Sequence, residues 1–184
     1  MLWQGRHVAW EDELFSLLDD LEQQAEALYE AERDADLADR SRAEYAHVTL
    51  ASRLLASEGR EVALGIRGVG QVSGTLQRVG SGWCLVHGSG QDWVVPVSAL
   101  TRLLGGSDRS VPELAWSPLA KLGLGSALRR IADSGDVCRV HLVDGGDHEV
   151  VLVRVGQDFV EATGVDGRPA LFPFAQLAAV QRRE

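Results

Sequence analysis

The sequence predicts an α+β protein: an acidic helical N-terminal segment, then two copies of a unit with one helix and five short antiparallel strands. Three observations predict it. A stretch of the chain occurs twice at a fixed offset. Apolar residues alternate with period two through both copies. Negative charge is confined to the N-terminal segment.

The repeated core reads Thr75-Leu76-Gln77-Arg78-Val79-Gly80-Ser81-Gly82-Trp83 and returns as Val151-Leu152-Val153-Arg154-Val155-Gly156-Gln157-Asp158-Phe159. Leu76, Arg78, Val79 and Gly80 match Leu152, Arg154, Val155 and Gly156 at one offset, 155 − 79 = 76. Pro96 matches Pro173 at an offset of 77, so one residue has entered the later turn. The helix ahead of each set of strands is included. Arg53, Leu55, Ala56 and Gly59 match Arg129, Ile131, Ala132 and Gly135, again 76 apart.

Charge separates the N-terminal segment from the rest. Residues 1–39 hold 12 acidic side chains against Arg6 and Arg33, which is −10. Residues 40–184 hold 15 acidic and 16 basic, which is +1, and the sum is the net charge of −9. A generic nucleic-acid binder carries a basic stripe that displaces phosphate counterions. No such stripe stands in this sequence. Hydrophobic content of 45% with 24% charged residues is that of a soluble globular protein. No apolar run approaches the roughly 20 residues of a membrane helix. The N-terminus has no apolar core of signal-peptide length, so a cytoplasmic location is expected. Cys84 and Cys138 sit at unmatched positions inside apolar strand patterns and read as small buried hydrophobes.

Taken in order, Met1–Ala9 reads as a lead-in, and helical pattern begins at Trp10. Leu14, Leu18, Leu21, Ala25 and Leu28 step by four and three residues, a heptad-like seam. Ala27, Ala31, Ala35 and Ala38 add helix propensity. Glu11, Asp12 and Glu13 are expected in the first turn, where carboxylates suit the helix dipole. The seam needs a partner surface: the protein's own barrels, a twin in a dimer, or a basic partner protein. Leu14, Leu18, Leu21 and Leu28 are the candidate interaction residues. Ser41 with Glu44 makes a capping-box pattern and predicts a break near Asp39–Ser41. Helix then continues through Tyr45, Val48, Leu50, Leu54 and Leu55 and stops at Gly59.

Val62, Leu64 and Ile66 alternate with Ala63, Gly65 and Arg67, a half-buried strand. Further strands are expected over 71–79, 82–87, 92–96 and 100–104. Gly105 to Pro118 has no periodicity and reads as a linker. Helix returns over 119–133 and ends at Ser134-Gly135. Strands come next over 137–143, 148–155, 158–163, 169–173 and 177–181. The predicted organisation is an acidic helical segment (1–40), a first unit (41–104), a linker (105–118) and a second unit (119–184).

One helix followed by five short, bent antiparallel strands resembles the Sm-like (LSm) fold. The resemblance covers residues 44–104 and 120–181. It rests on Asp144-Gly145 at the first hairpin, Gly74-Thr75-Leu76 in the bent second strand, and the Val-Gly turns at 79–80 and 155–156. The Pro96 and Pro173 segments ahead of a short last strand also fit. The resemblance implies two tandem Sm-like five-stranded antiparallel small barrels, each preceded by a helix. Taken whole, the chain also resembles a group of uncharacterised actinobacterial proteins with an acidic helical N-terminus before two such units. Lys121 is the only lysine, as suits a high-GC genome.

The chain departs from RNA-binding Sm proteins where those proteins read bases. Their third strand follows an Asp-x-x-aromatic/Met-Asn pattern. The Asp positions here are Gly80 and Gly156, and the Asn positions are Cys84 and Val160. The signature before the last strand is replaced by Val97-Ser98-Ala99 and Phe174-Ala175-Gln176. No RNA-site residue carries over.

Other constellations are read as structure. His141, Asp144, Asp147, His148 and Glu149 cluster at one hairpin, but Asp-Gly-Gly is turn chemistry. Gly68-x-Gly70 followed by Gly74 imitates a phosphate loop, yet it lies between two strands rather than opening a helix. No nucleophile context is recognisable, so no catalytic residue, metal or cofactor is expected. Trp83 and Phe159 occupy equivalent positions and read as core or seam anchors. Trp116, in the linker, is expected to pin the two units together.

The expected function is that of a non-enzymatic protein-interaction or scaffold protein that uses the acidic helix and the barrel edges. Protein partners or self-association are expected, with no membrane and no small-molecule substrate evident. The alternative is a nucleic-acid-associated, RNA-binding Sm-like regulator. In Sm rings each fourth strand pairs with the neighbour's fifth. Two copies in one chain can make that pairing once internally, which leaves one edge of each kind. The acidic helix is expected to cover them, because Val94, Val95, Leu171 and Phe172 would make an open edge sticky.

Overall fold

A computed structural model describes residues 7–183. Met1–Arg6 with Trp3, Glu184, and the side chains of His7–Glu13, Ala31, Ala35 and Arg183 lie outside what is described. The chain divides into two compact units, residues 1–47 and 48–184.

The first unit is one helix, α1 (His7–Tyr45), of 39 residues. It begins ahead of Trp10, so Glu11, Asp12 and Glu13 fall beyond its first turn. It also runs straight through the break expected at Asp39–Ser41. Residues Arg40, Arg42, Ala43 and Glu44 are good helix formers, and Arg42 braces this stretch through the Asp39 carboxylate at 2.8 Å. The interruption comes later, at the β-branched pair Val48-Thr49. There Thr49 opens α2 (Leu50–Leu55) with a capping box: its Oγ1 accepts from the Ser52 amide, and Ser52 Oγ accepts from the Thr49 amide, each at 3.1 Å.

The second unit carries the strands. The first five are β1 (Glu61–Ile66), β2 (Gly70–Gly80), β3 (Trp83–Gly88), β4 (Gln91–Pro96) and β5 (Leu100–Leu104). A 3-10 turn at Glu113–Ala115 lies in the linker, and α3 (Leu124–Ser134) comes after it. Gly135 ends α3 in the left-handed conformation, φ 68°, as its place after Ser134 predicts. The remaining strands are β6 (Val137–Leu142), β7 (Asp147–Val155), β8 (Phe159–Gly164), β9 (Pro169–Pro173) and β10 (Leu177–Arg183).

All ten form one antiparallel sheet in the order β5-β1-β2-β3-β4-β10-β6-β7-β8-β9. The internal joint expected between the two sets is there, with the first set's fourth strand β4 against the second set's fifth strand β10, and one edge of each kind is left over; the two small barrels expected are not seen as closed units. The sheet does not close, and β5 and β9 stand at its ends. The reason is a pairing between the two sets. β10 lies on the outer edge of β4, pairing Val180 with Val94, Gln181 with Trp93 and Arg182 with Asp92. That edge is therefore taken by a strand from the other set. Each set nevertheless has the same internal order, with its fifth strand beside its first and its fourth strand outermost.

The core follows the sheet rather than the two halves of the sequence. One apolar cluster gathers Leu54, Leu64, Leu76 and Val86 with Ala178 and Ala179 of β10. The other gathers Leu128, Val140, Leu152 and Val160 with Trp83 of β3 and Val94 of β4. Each half thus completes the core of the other.

A shared device ends β2 and β7. The Trp83 ring folds back over Gly80, where a Cβ would stand 2.2 Å from Trp83 Nε1. The Phe159 ring folds over Gly156, where a Cβ would stand 2.5 Å from the ring. A glycine three residues before the aromatic is therefore a packing requirement. Gly80→Ala is expected to cost about 1–3 kcal/mol, the range for overpacking a filled site. Gly125→Ala, inside α3 where a Cβ would meet only ordinary contacts at 3.7 Å, serves as a control that should lose no stability in the same urea titration.

Candidate functional site

A group of polar and aromatic contacts lies along the β4·β10 seam. The segment before α3 docks on the β2–β3 turn, where the Leu122 carbonyl accepts from the Ser81 amide at 2.9 Å and from Trp83 Nε1 at 2.8 Å. Trp83 is therefore a seam anchor with its indole N–H satisfied. Asp92 on β4 receives His87 Nδ1 at 2.9 Å and faces Arg182 of β10 at 3.6 Å. Arg182 also reaches Asp136 at 3.7 Å. Beside them Gln181 hydrogen-bonds Gln91 and His141, and the Trp93 and His141 rings stack at 5.4 Å. On the far side, the Gly68 turn packs so tightly that a Cβ there would meet the Leu142 carbonyl at 2.3 Å.

A cleft of about 660 Å³ opens at this seam, between β2–β4 on one side and α3 with β10 on the other. Trp83, Leu85, Val94 and Ile131 form apolar lining, and Arg78, Arg130, Arg182 and Asp92 supply its charges. Sequence reasoning missed it. The only trace in the chain is a mismatch between the two halves: Arg154 faces Glu161, whereas Arg78 faces Leu85.

The sequence-predicted interaction residues Leu14, Leu18, Leu21 and Leu28 lie on α1, each between 41% and 68% exposed. Phe15, Leu17 and Tyr29 are also exposed on this helix. The other predicted aromatics divide. Trp83 is 7% exposed, but Phe159 is 37% exposed, so the equivalence in sequence is not one of burial. Trp116 is buried, and its Nε1 donates to Val111 within the linker. Of the residues expected to make an open edge sticky, Val94, Val95 and Phe172 are buried, and Leu171 on β9 is exposed.

At the β6–β7 hairpin, the clustered groups are engaged with protein atoms. Arg139 bonds Glu149 at 2.6 Å and approaches Asp147 at 3.7 Å. The Glu149 hydrogen bond raises the Arg139 guanidinium above its ordinary value. Asp144 accepts from the Gly146 amide, and the His148 ring leans on Phe172. Among the described residues, no group of three or more His, Cys, Asp or Glu is placed to hold a metal ion. No described helix is long and apolar enough to cross a membrane.

No family model matches the chain, and a search of curated proteins finds no match either.

Burial along the seam and in the core sets two expectations. Trp83→Ala is expected to cost about 3–5 kcal/mol, as buried aromatic truncations do. Phe159→Ala should cost clearly less, because its ring is already partly in water. Equal losses in chemical denaturation would contradict the burial difference. Both cysteines are free and buried. Burial pushes the Cys84 thiol from 9.0 up to about 12 and Cys138 to about 11. An unfolded chain releases these protons near pH 9, while the folded chain holds them. The unfolded state then binds fewer protons, so stability is full below pH 9 and falls as pH rises from 9 toward 12. Replacing Cys84 with Ala should flatten that alkaline decline in pH-dependent melting.

Proposed function

We propose that the protein is a non-enzymatic interaction scaffold built from two Sm-like units in tandem, working through its sheet edges and its acidic helix. The order of strands within each five-strand set, with a helix ahead, supports the Sm-like reading. Cys84 and Val160, at the positions where RNA-binding relatives of that fold keep a base-reading asparagine, are both fully buried. The residues 1–47 carry 13 acidic and 4 basic side chains, a charge of −9. Both features favour protein over nucleic acid as the partner.

One observation carries the reading. The face that the first set buries at the seam is exposed in the second set. Val94 is 6% exposed, and its counterpart Leu171, 77 residues on, is 63% exposed. Trp83 and Phe159 differ in the same direction. β9 thus presents a strand edge with apolar side chains, a surface suited to strand addition. The occupant favoured is β5 of a second copy, because β5 stands in its set where β10 stands in the other, and β10 is the strand that β4 receives. The exposed leucines of α1 offer a second docking surface for a protein partner.

The test is light scattering after size exclusion on the full chain across a concentration series. The wild type should exceed monomer mass, and Leu171→Lys should shift it toward monomer by placing a charge in the joint. A wild type that stays monomeric throughout, or a Leu171→Lys variant that assembles unchanged, would sink the edge reading. Tight RNA or DNA binding that collapses with added salt would replace it with the nucleic-acid reading.

A further inference from the structure

We propose that the seam cleft is a binding site for a small amphiphilic carboxylate: an apolar body on the cleft wall and a carboxylate held by Arg78 and Arg130. The argument starts from charge. The residues 48–184 hold 14 acidic and 14 basic side chains, net zero. The cleft departs from that balance, with three arginines against Asp92, or +2. Arg182 is engaged with Asp92 and Asp136. Among the described residues, neither Arg78 nor Arg130 has an ion-pair partner.

The other half of the chain shows what the balanced arrangement looks like. Arg154 stands 76 residues after Arg78, in the same place on the strand, opposite Glu161. The two bond at 2.7 Å. Opposite Arg78 the residue is Leu85. Leucine in place of a carboxylate does two things at once. It leaves a guanidinium without its internal anion, and it adds apolar wall where the anion would stand. In the other half the partner of the equivalent arginine is a carboxylate, and an arginine fork matches a carboxylate with two parallel N–H bonds.

Size and lining set the rest of the ligand. About 660 Å³ falls within the roughly 300–1,000 Å³ of small-molecule sites, which are mostly apolar with a few fixed polar groups. The wall here is Trp83, Leu85, Val94 and Ile131, so the body of the ligand is hydrocarbon or aromatic rather than sugar-like. Trp83 is fixed by its bond to Leu122 and by Gly80 beneath it, so the wall is in place before a ligand arrives. α3 and β10 come from one half and β2–β4 from the other, so the site exists only because the halves pair.

The probe is decanoate, titrated into the full chain by calorimetry below its micelle concentration. Decanol supplies the tail without charge, and acetate supplies the charge without the tail. Decanoate should bind saturably with one site per chain, and both controls should be at least about tenfold weaker. Arg78→Gln and Arg130→Gln, both at exposed side chains, should each weaken decanoate about tenfold or more. Leu85→Glu recreates the Arg154–Glu161 pair in this half and should abolish binding; an unchanged melt for Arg78→Gln separates lost binding from lost folding. The assignment is overturned if decanoate shows no saturable binding, if decanol binds as tightly, or if none of the three substitutions alters affinity. Binding of an acidic, leucine-bearing peptide in place of decanoate would give the cleft to a protein partner and overturn it as well.

Discussion

The pairing of β10 with β4 is the constraint on which the strand-bearing unit depends. An outer strand presents a row of unmet N–H and C=O groups, and that row must be paired, covered or blunted. β4 meets this by accepting a strand from far downstream, Val180 against Val94. Once that register is fixed, Ala178 and Ala179 enter the first apolar cluster while Trp83 and Val94 enter the second. Neither set of five strands can then complete its core alone. The same pairing carries α3 to the β2–β3 turn and leaves the cleft between them. Loosening the β4·β10 ladder would therefore open both cores and erase the cleft together.

Much of the fold is legible in the sequence because its signals are local or repeated. Period-two alternation in Val62, Leu64 and Ile66 becomes β1, with all three side chains buried. Gly135 stops α3 because only a residue tolerant of positive φ can turn there. The offset of 76 places α2 and α3 ahead of matching strands. The end of α1 shows where local signals compete. Ser41-x-x-Glu44 and Thr49-x-x-Ser52 both offer capping chemistry, and only one interrupts the helix. The deciding neighbours are ordinary: helix formers surround Ser41, while Val48 and Thr49 are β-branched.

The openness of the sheet and the site at its seam are not legible in this way. That a fifth strand lies on β4 is expected from the Sm-like resemblance, but its register, Val180 against Val94, depends on segments far apart, and no single segment encodes it. Nor does any motif mark the cleft, since Arg78, Arg130 and Arg182 come from β2, α3 and β10. The exposure of Phe159 escapes sequence reasoning for the same reason. Its equivalence to Trp83 along the chain is real, but Trp83 is held by Leu122, in the segment that joins the two halves. The repeat fixes where an aromatic stands on its own strand. It does not fix which distant segment packs over that ring, and burial is decided by the second.

That asymmetry indicates where chemistry is to be sought. Positions at which the two halves agree, such as Gly80 with Gly156 or Val79 with Val155, are accounted for by the fold: a ring over a glycine, an apolar side chain facing the core. Agreement of that kind says little about function, because any strand in that place meets the same demand. Positions at which they differ are under another demand. Glu161 against Leu85 is not a packing adjustment of similar residues. It removes a charge from opposite an arginine, at half-exposed sites, where a surface ion pair contributes little to stability in either case. Stability therefore does not account for the exchange. What it changes is the electrostatics and wetting of the cleft wall, where side chains of both halves meet.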